Sequence, residues 1–125
     1  MTAWTTDDLD QIGGATELDI ASRRADGSYS PYVTIWAIRS GDDIYVRSAH
    51  GPENGWFRRA KDRGTGRIRT GNVERDVQFT ESPADVNPAV DKAYHAKYDS
   101  YGQQYVGPVT GPSIPTLRVI PADNG

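Results

Sequence analysis

The chain has 125 residues, of which 36% are hydrophobic and 25% are charged, and its net charge is −3. This length fits one compact domain, which we predict over residues 1–125, with an N-terminal helical segment at 1–14. Because the sequence contains no cysteine, disulfides, thiolate catalysis and cysteine zinc sites are excluded. The first residues have neither a basic start nor an apolar run, and no stretch of about eighteen apolar residues occurs, so we expect a cytoplasmic protein without a membrane span.

The basic residues are concentrated in one segment. Between Trp56 and Arg75, seven basic residues stand against two acidic ones, which gives this segment +5 and leaves −8 for the rest of the chain. A local basic patch on an acidic protein suits a small anionic ligand better than a long polyanion, so nucleic acid is disfavoured as a partner. The alternative is a solvated helix face beside an exposed hairpin edge.

The first predicted elements are a short helix and a hairpin. Thr5 or Thr6 can cap a helix that ends at Gly13-Gly14. Alternation of apolar and polar residues over 15–24 predicts a strand with one wet face. The turn residues at 25–28 then bring the chain back antiparallel.

The next strand, over residues 33–38, is apolar on both faces. Its two faces are Val33, Ile35 and Ala37 on one side and Thr34, Trp36 and Ile38 on the other. Such a strand is either central in a sheet or covered on its second face by a partner subunit. The low apolar share leaves a thin core, so Trp36 and Ile38 predict a homodimer that buries this second face.

The loop between the following strand, at 43–48, and a basic helix, at 53–63, is the best site candidate. It contains Ser48, His50 and Gly51. Backbone N–H groups at the start of a helix can hold a phosphate or carboxylate together with nearby arginines. His50 is the candidate catalytic acid or base, with a reference pKa of about 6.5; the alternative is an exposed histidine without a role.

The rest of the chain adds two strands, a helix and a closing strand. Strands are predicted at 67–69 and 73–81, where broken alternation in the second indicates a bulge. A helix over 88–101 places Val90, Tyr94 and Tyr98 on one face, and a strand around 117–120 closes the set. Six short strands, mostly in hairpin order, with two to three helices, predict a mainly β, α+β fold: a small antiparallel barrel over 15–121.

This order of elements resembles a known fold family. The two strands, the loop, a helix that opens with Gly55-Trp56-Phe57 and the two strands after it look like the split β-barrel of flavin- and deazaflavin-dependent oxidoreductases. That group includes pyridoxamine phosphate oxidase-like proteins and deazaflavin-dependent nitroreductases. More narrowly, the chain resembles a family of short split-barrel proteins known only as a domain of unknown function, through Tyr45-Val46-Arg47-Ser48, the loop 51–56 and Lys97-Tyr98.

The resemblance implies FMN or an F420-type deazaflavin as cofactor and a small organic substrate to be reduced. It assigns the cofactor phosphate to Arg47, Ser48 and the loop after them, and the ring to the strand with Thr34 and Trp36. The full set of predicted cofactor contacts is Arg47, Ser48, Gly51, Trp56, Arg59, Thr34, Trp36, Lys97 and Tyr98.

The hairpin at 25–30 departs from the family pattern. The deazaflavin enzymes have a basic hairpin here, whereas this chain has Asp26 and no lysine. This difference motivates an alternative function without a cofactor, namely a barrel that binds a small aromatic or acidic metabolite or acts on it by acid–base chemistry.

The candidate residues also have structural interpretations. Arg47 can pair with Asp43 or Glu53 in a surface bridge worth about 0–1 kcal/mol. Trp36 and Trp56 can be core or interface residues, and the tyrosines of the second helix can pack on the barrel. The two histidines are far apart in sequence and lack flanking carboxylates, so no metal site is predicted.

Overall fold

The structure, a computed structural model, describes residues 4–48, 55–71, 73–82, 84–110 and 116–122. The elements, in chain order, are α1 (Thr6–Gly14), β1 (Leu18–Ser22), β2 (Val33–Ile35), β3 (Ala37–Ser40), β4 (Asp43–Arg47), α2 (Gly55–Arg63), β5 (Thr65–Thr70), β6 (Val73–Glu81), α3 (Asn87–Tyr98), α4 (Gln103–Val106) and β7 (Thr116–Pro121). Short 3-10 turns at Ala84–Val86, Asp99–Tyr101 and Gly107–Val109 connect the later elements. None of the helices in these ranges is long and apolar enough to cross a membrane.

The strands form one antiparallel sheet in the order β2-β1-β5-β6-β7-β4-β3. Its two edge strands, β2 and β3, are consecutive in the chain and are separated only by Trp36. The sheet therefore curls until its edges meet at this residue, which makes a nearly closed barrel.

The strand count corrects the prediction of six strands. The strand predicted at 33–38 is broken at Trp36: its first half pairs with β1 and its second half pairs with β4. One apolar segment thus serves both edges of the sheet, and the described residues contain seven strands.

The interior of the barrel is filled from the strands and from two helices. Leu9 and Ile12, three residues apart on α1, enter this core and are 3% and 1% exposed. Thr5 caps that helix, because its hydroxyl accepts a hydrogen bond from the N–H of Asp8 at 3.1 Å. From α2, Trp56 and Phe57 enter the same core. These two helices close the barrel from its open sides.

A second apolar layer lies outside the barrel, between α3 and the outer face of β3 and β4. Its buried members are Ile38, Tyr45, Val90, Tyr94, Tyr98, Val106 and Val109, with Trp36 packed against them. This layer removes the reason for which the sequence predicted a homodimer. The second face of the strand with Trp36 and Ile38 is covered by α3 of the same chain, so it does not need a partner subunit.

The broken alternation in β6 is not a bulge. The pairing of β5 with β6 runs without interruption from Thr65↔Gln78 to Thr70↔Val73. Arg75 occupies the core-side position between two buried valines, and its guanidinium pairs with the buried Asp8 of α1 at 3.1 Å. The ion pair between Arg75 and Asp8 of α1 therefore takes the place of an apolar contact at this position of β6.

Candidate functional site

Arg47 lies at the end of β4, under α3, and its side chain is fully buried. Its Nε donates to Thr116 Oγ1 at 2.8 Å and one Nη donates to the Val109 carbonyl at 2.8 Å. The same Nη forms an ion pair with Asp91, and the other Nη donates to Asn87 Oδ1 at 3.2 Å. The guanidinium thus ties α3 and the turn before β7 to the barrel.

The partners of Arg47 differ from the surface bridge considered in the sequence. Asp91 of α3 takes the place of Asp43, which instead pairs with Arg118 at 2.8 Å. Glu53 lies outside the described residues. Because the N–H groups of Arg47 face acceptors of its own chain, this residue is suited to position α3.

A row of aromatic rings continues from Arg47 along α3. The Arg47 guanidinium lies 5.6 Å from the centre of the Tyr94 ring, and the Tyr94 and Tyr98 rings are 6.0 Å apart. Tyr98 stacks on Trp36 with a centroid distance of 3.9 Å and an angle of 1° between the planes. The row ends at Tyr101, whose ring centre lies 5.5 Å from that of Trp36. Each member thus contacts the next, in the order Arg47, Tyr94, Tyr98, Trp36 and Tyr101.

We call Trp36, Tyr98 and Tyr101 the aromatic ledge. Tyr98 is buried, Trp36 is half-buried and Tyr101 is 44% exposed, so the ledge passes from the interior to the surface. The Tyr98 hydroxyl is 2.7 Å from the Thr16 carbonyl and 3.1 Å from the Ala37 carbonyl. Burial raises the pKa of Tyr98, which therefore stays protonated and fixed.

Lys97 is next to Tyr98 in the chain, and its amine approaches the same Ala37 carbonyl as the Tyr98 hydroxyl. Nζ donates to the Ala37 carbonyl at 2.7 Å and lies 3.5 Å from the Ile12 carbonyl, between β3 and α1. Burial lowers the pKa of Lys97 to about 8. The residue lines a cleft of about 470 Å³ between α1, β3 and α3.

Three other predicted residues lie in different parts of the molecule. Thr34 is exposed on β2, where its hydroxyl donates to Asp19 Oδ1 at 2.7 Å. Trp56 is 7% exposed and fills the barrel core, which is the structural interpretation that the sequence left open. Arg59 is exposed on α2, with a guanidinium nitrogen close to Gly55.

The remaining predicted residues belong to the loop after β4. Ser48 is described and fully buried, whereas His50 and Gly51 lie outside the described residues. Their roles stay predictions. Within the described ranges, no group of three histidine or carboxylate side chains that could hold a metal ion is found.

The basic segment is largely neutralised by acids from other elements. The ion pairs are Lys61 with Glu81 at 3.1 Å, Arg67 with Asp76 at 2.8 Å, Arg69 with Asp19 at 3.1 Å and Arg75 with Asp8 at 3.1 Å. The hydrogen bond from Arg67 is the main reason that the pKa of Asp76 is lowered. The patch seen in the sequence is therefore much weaker in the folded protein, which also disfavours a polyanionic partner.

The curled antiparallel sheet with α3 on its outer face defines a class, the split β-barrel of the pyridoxamine 5′-phosphate oxidase-like type. A candidate pyridoxamine 5′-phosphate oxidase from Listeria innocua has the same fold, with a TM-score of 0.63, 11% identity, and coverage of 92% of this chain and 90% of that chain. An FAD-binding protein from Mesorhizobium loti gives a TM-score of 0.57, 13% identity, and coverage of 97% and 92%. An FAD and heme binding protein from Mycobacterium smegmatis gives 0.56, 11% identity, and coverage of 97% and 72%.

Within this class the chain belongs to the family described as uncharacterized protein conserved in bacteria (DUF2255), whose model matches residues 8–119. This confirms the predicted membership of a short split-barrel family known only as a domain of unknown function. No protein of curated function matches the chain. At these identities, the solved structures establish the fold.

Proposed function

We propose that the chain binds a flavin or F420-type deazaflavin at the aromatic ledge and acts as an oxidoreductase on a small organic substrate. The observation that carries this proposal is the stack of Trp36 on Tyr98 beside the 44% exposed Tyr101. A half-buried ring held flat by a second ring can accept a third planar ring by stacking. The FAD-binding neighbours with this fold support the choice of ligand.

The ring end of such a cofactor fits the described residues better than the phosphate end. Arg47 does not fit a phosphate, because its guanidinium is buried and is bonded to acceptors of the chain. The fully buried Ser48 does not fit a phosphate for the same reason. We therefore assign the phosphate to the loop after Ser48 together with the exposed Arg59, and leave Arg47 to hold α3.

Each group of the chain has a separate role in this proposal. When bound, the cofactor supplies the hydride chemistry. Trp36 and Tyr101 bind and orient the cofactor ring. The Tyr98 hydroxyl, which lies near two backbone carbonyls, fixes the Tyr98 ring against Trp36. His50 is the proposed proton donor or acceptor for the substrate.

A homodimer remains part of the proposal, although on different grounds from those in the sequence. Tyr101 is the one large apolar side chain among the described residues that is strongly exposed, and it borders Trp36. A second subunit placed over it would shield a bound ring from water. Sedimentation at micromolar concentration tests this, since a monomer there would contradict it.

The test of cofactor binding is an absorbance spectrum followed by fluorescence titration with FMN, FAD and the deazaflavin. We expect saturable binding of one of them, weakened about three- to ten-fold by Trp36→Ala through loss of one stacking partner. The matched control is Tyr32→Ala, which removes a half-buried ring that lies over Arg69 on another face. Equal affinities of the two variants would contradict the site, and no binding by the unchanged protein would contradict the function.

A second candidate function is a barrel without a cofactor that binds, or acts by acid–base chemistry on, a small aromatic or acidic metabolite. The observation that favours it is the hairpin after β1, which has no lysine. Asp26 there accepts hydrogen bonds from Ser28, and the Arg24 guanidinium is bonded to the Tyr29 carbonyl of the same hairpin. It predicts a colourless protein that binds none of the three cofactors. Screening of aromatic acids by thermal shift is then the deciding measurement.

A further inference from the structure

The cleft between α1, β3 and α3 is separate from the exposed side of the aromatic ledge and has its own reactive group. Its walls are mainly apolar or small, formed by Leu9, Gly14, Ile38 and Ala96, with Arg39 and Lys97 as its cations. A volume of about 470 Å³ lies within the range of small-molecule sites in proteins. The cleft can therefore hold a small organic molecule next to a primary amine.

The amine of Lys97 is positioned by neutral groups. The carbonyls of Ala37 and Ile12 accept from it, and the centre of the Tyr98 ring lies 5.1 Å away. These contacts hold the nitrogen in place, and among the described residues no carboxylate forms an ion pair with it, because Asp10, which also lines the cleft, pairs with Arg39.

The charged groups nearest to the cleft are engaged with each other. Asp10 of α1 pairs with Arg39 of β3 at 2.9 Å, and burial alone lowers the pKa of Lys97 to about 8. A sizeable fraction of Lys97 is therefore an uncharged amine near neutral pH, unlike an exposed lysine with a pKa of about 10.4. An uncharged, desolvated amine is the nucleophilic form of lysine.

We propose that the cleft captures small apolar aldehydes or ketones as a reversible imine on Lys97. The nitrogen lone pair of Lys97 attacks the carbonyl carbon, and the carbonyl oxygen takes up protons and leaves as water. A C=N bond replaces the C=O bond, so no oxidant or reductant is needed. This site does not depend on flavin binding at the aromatic ledge.

The sequence provides internal controls, because it contains only three lysines: Lys61, Lys92 and Lys97. The protein is treated with benzaldehyde and cyanoborohydride, and peptide mapping by mass spectrometry measures the reduced adduct at each lysine, separately from the α-amino group. At pH 7.5 we expect at least about ten-fold more adduct on Lys97 than on an exposed lysine, because the uncharged fraction of Lys97 is about a hundred-fold larger and only part of this gain is offset by the lower nucleophilicity of a less basic amine. Modification of Lys97 should rise with pH to a midpoint near 8.

A variant that fills the cleft separates a binding site from a merely reactive lysine. Ala96 lines the cleft from α3, whereas the exposed Ala89 on the same helix does not line it. Ala96→Phe should remove most of the Lys97 adduct while leaving unchanged the adduct on Lys61, which lies on α2, and Ala89→Phe should change neither. Equal adducts on the three lysines of the unchanged protein, or equal Lys97 adducts in the two phenylalanine variants, would overturn the proposal.

Discussion

Removal of Asp91 should be one of the most damaging single changes on the surface of α3. The Arg47 side chain is 0% exposed and that of Asp91 is 27% exposed, so the carboxylate reaches water while the guanidinium does not. Asp91→Ala would leave a buried positive charge with only the neutral acceptors Thr116, Val109 and Asn87.

The size of the effect follows from this asymmetry. Removing one partner of a buried ion pair costs about 3–5 kcal/mol, and the partial exposure of Asp91 points to the lower end, about 3 kcal/mol. For a chain of this size, that loss lowers the melting temperature by about 10 °C. Asp91→Asn keeps an acceptor for Arg47 but not the charge, so its cost should lie between those of the alanine variant and the unchanged protein.

Urea unfolding followed by tryptophan fluorescence measures the difference in the free energy of unfolding, provided that the variants share one m-value. The matched control is Asp10→Ala, which breaks the exposed pair with Arg39, in which the side chains are 65% and 33% exposed. Exposed pairs contribute about 0–1 kcal/mol, so this control should be close to the unchanged protein. If Asp91→Ala cost no more than Asp10→Ala, the account of Arg47 as a buried, charge-dependent anchor would be refuted.

Three further changes test other parts of the structure. Gly66→Ala should cost about 3 kcal/mol or more in urea unfolding, because its Cβ would lie 2.0 Å from the Ala21 carbonyl oxygen, whereas Gly14→Ala, which meets nothing within 4 Å, should be neutral or slightly stabilising. Tyr98→Phe should cost about 1–2 kcal/mol in the same assay, since the Thr16 carbonyl loses its donor while the Ala37 carbonyl keeps that of Lys97; no loss would mean that water replaces the hydroxyl. Asp76 has a pKa lowered in the folded state, so its stabilisation is present above the unfolded pKa of about 3.9 and is lost as the pH falls through the lower folded value. Asp76→Asn should therefore reduce the fall in the free energy of unfolding at acid pH. Asp42→Asn, which changes a side chain that is 92% exposed, should leave this fall unchanged.

The fold could be predicted from the sequence where one local pattern decides the structure. Alternation along a strand determines which side chains face the core, and this is why Ile35 and Ala37 lie in the barrel core while Ile38, predicted on the opposite face, lies in the outer layer. The helix face of Val90, Tyr94 and Tyr98 was likewise readable from spacing, and all three are buried.

The sequence could not reveal features that depend on distant partners. The alternation of the two faces continues unchanged across Trp36. The break in the strand is therefore visible only because its first half pairs with β1 and its second half pairs with β4. The apolar second face of this strand did predict that another element packs on it. The pattern could not distinguish α3 from a second subunit as that element.

The candidate site was only partly predictable for the same reason. Arg47 was predicted to contact the cofactor phosphate, whereas its side chain is buried and paired with Asp91, which is 44 positions away and which no local pattern connects to it. Lys97 and Tyr98 were selected by resemblance as one unit, but neighbouring residues on a helix point about 100° apart. Their polar atoms nevertheless meet at the Ala37 carbonyl, and from there Lys97 lines the cleft while Tyr98 stacks in the aromatic ledge.

The position of Trp36 connects the closure of the barrel to the proposed site. The residue lies where the two edges of the sheet meet, and its ring is held by α3, which is itself held by Arg47. A ligand that stacks on Trp36 would therefore contact the seam of the barrel directly. Because any ligand that binds only the folded state stabilises it, a cofactor at the aromatic ledge should raise the melting temperature of the unchanged protein. In the Asp91→Ala protein the loosened α3 positions the Trp36 ring less well, so the same cofactor concentration should raise the melting temperature by less.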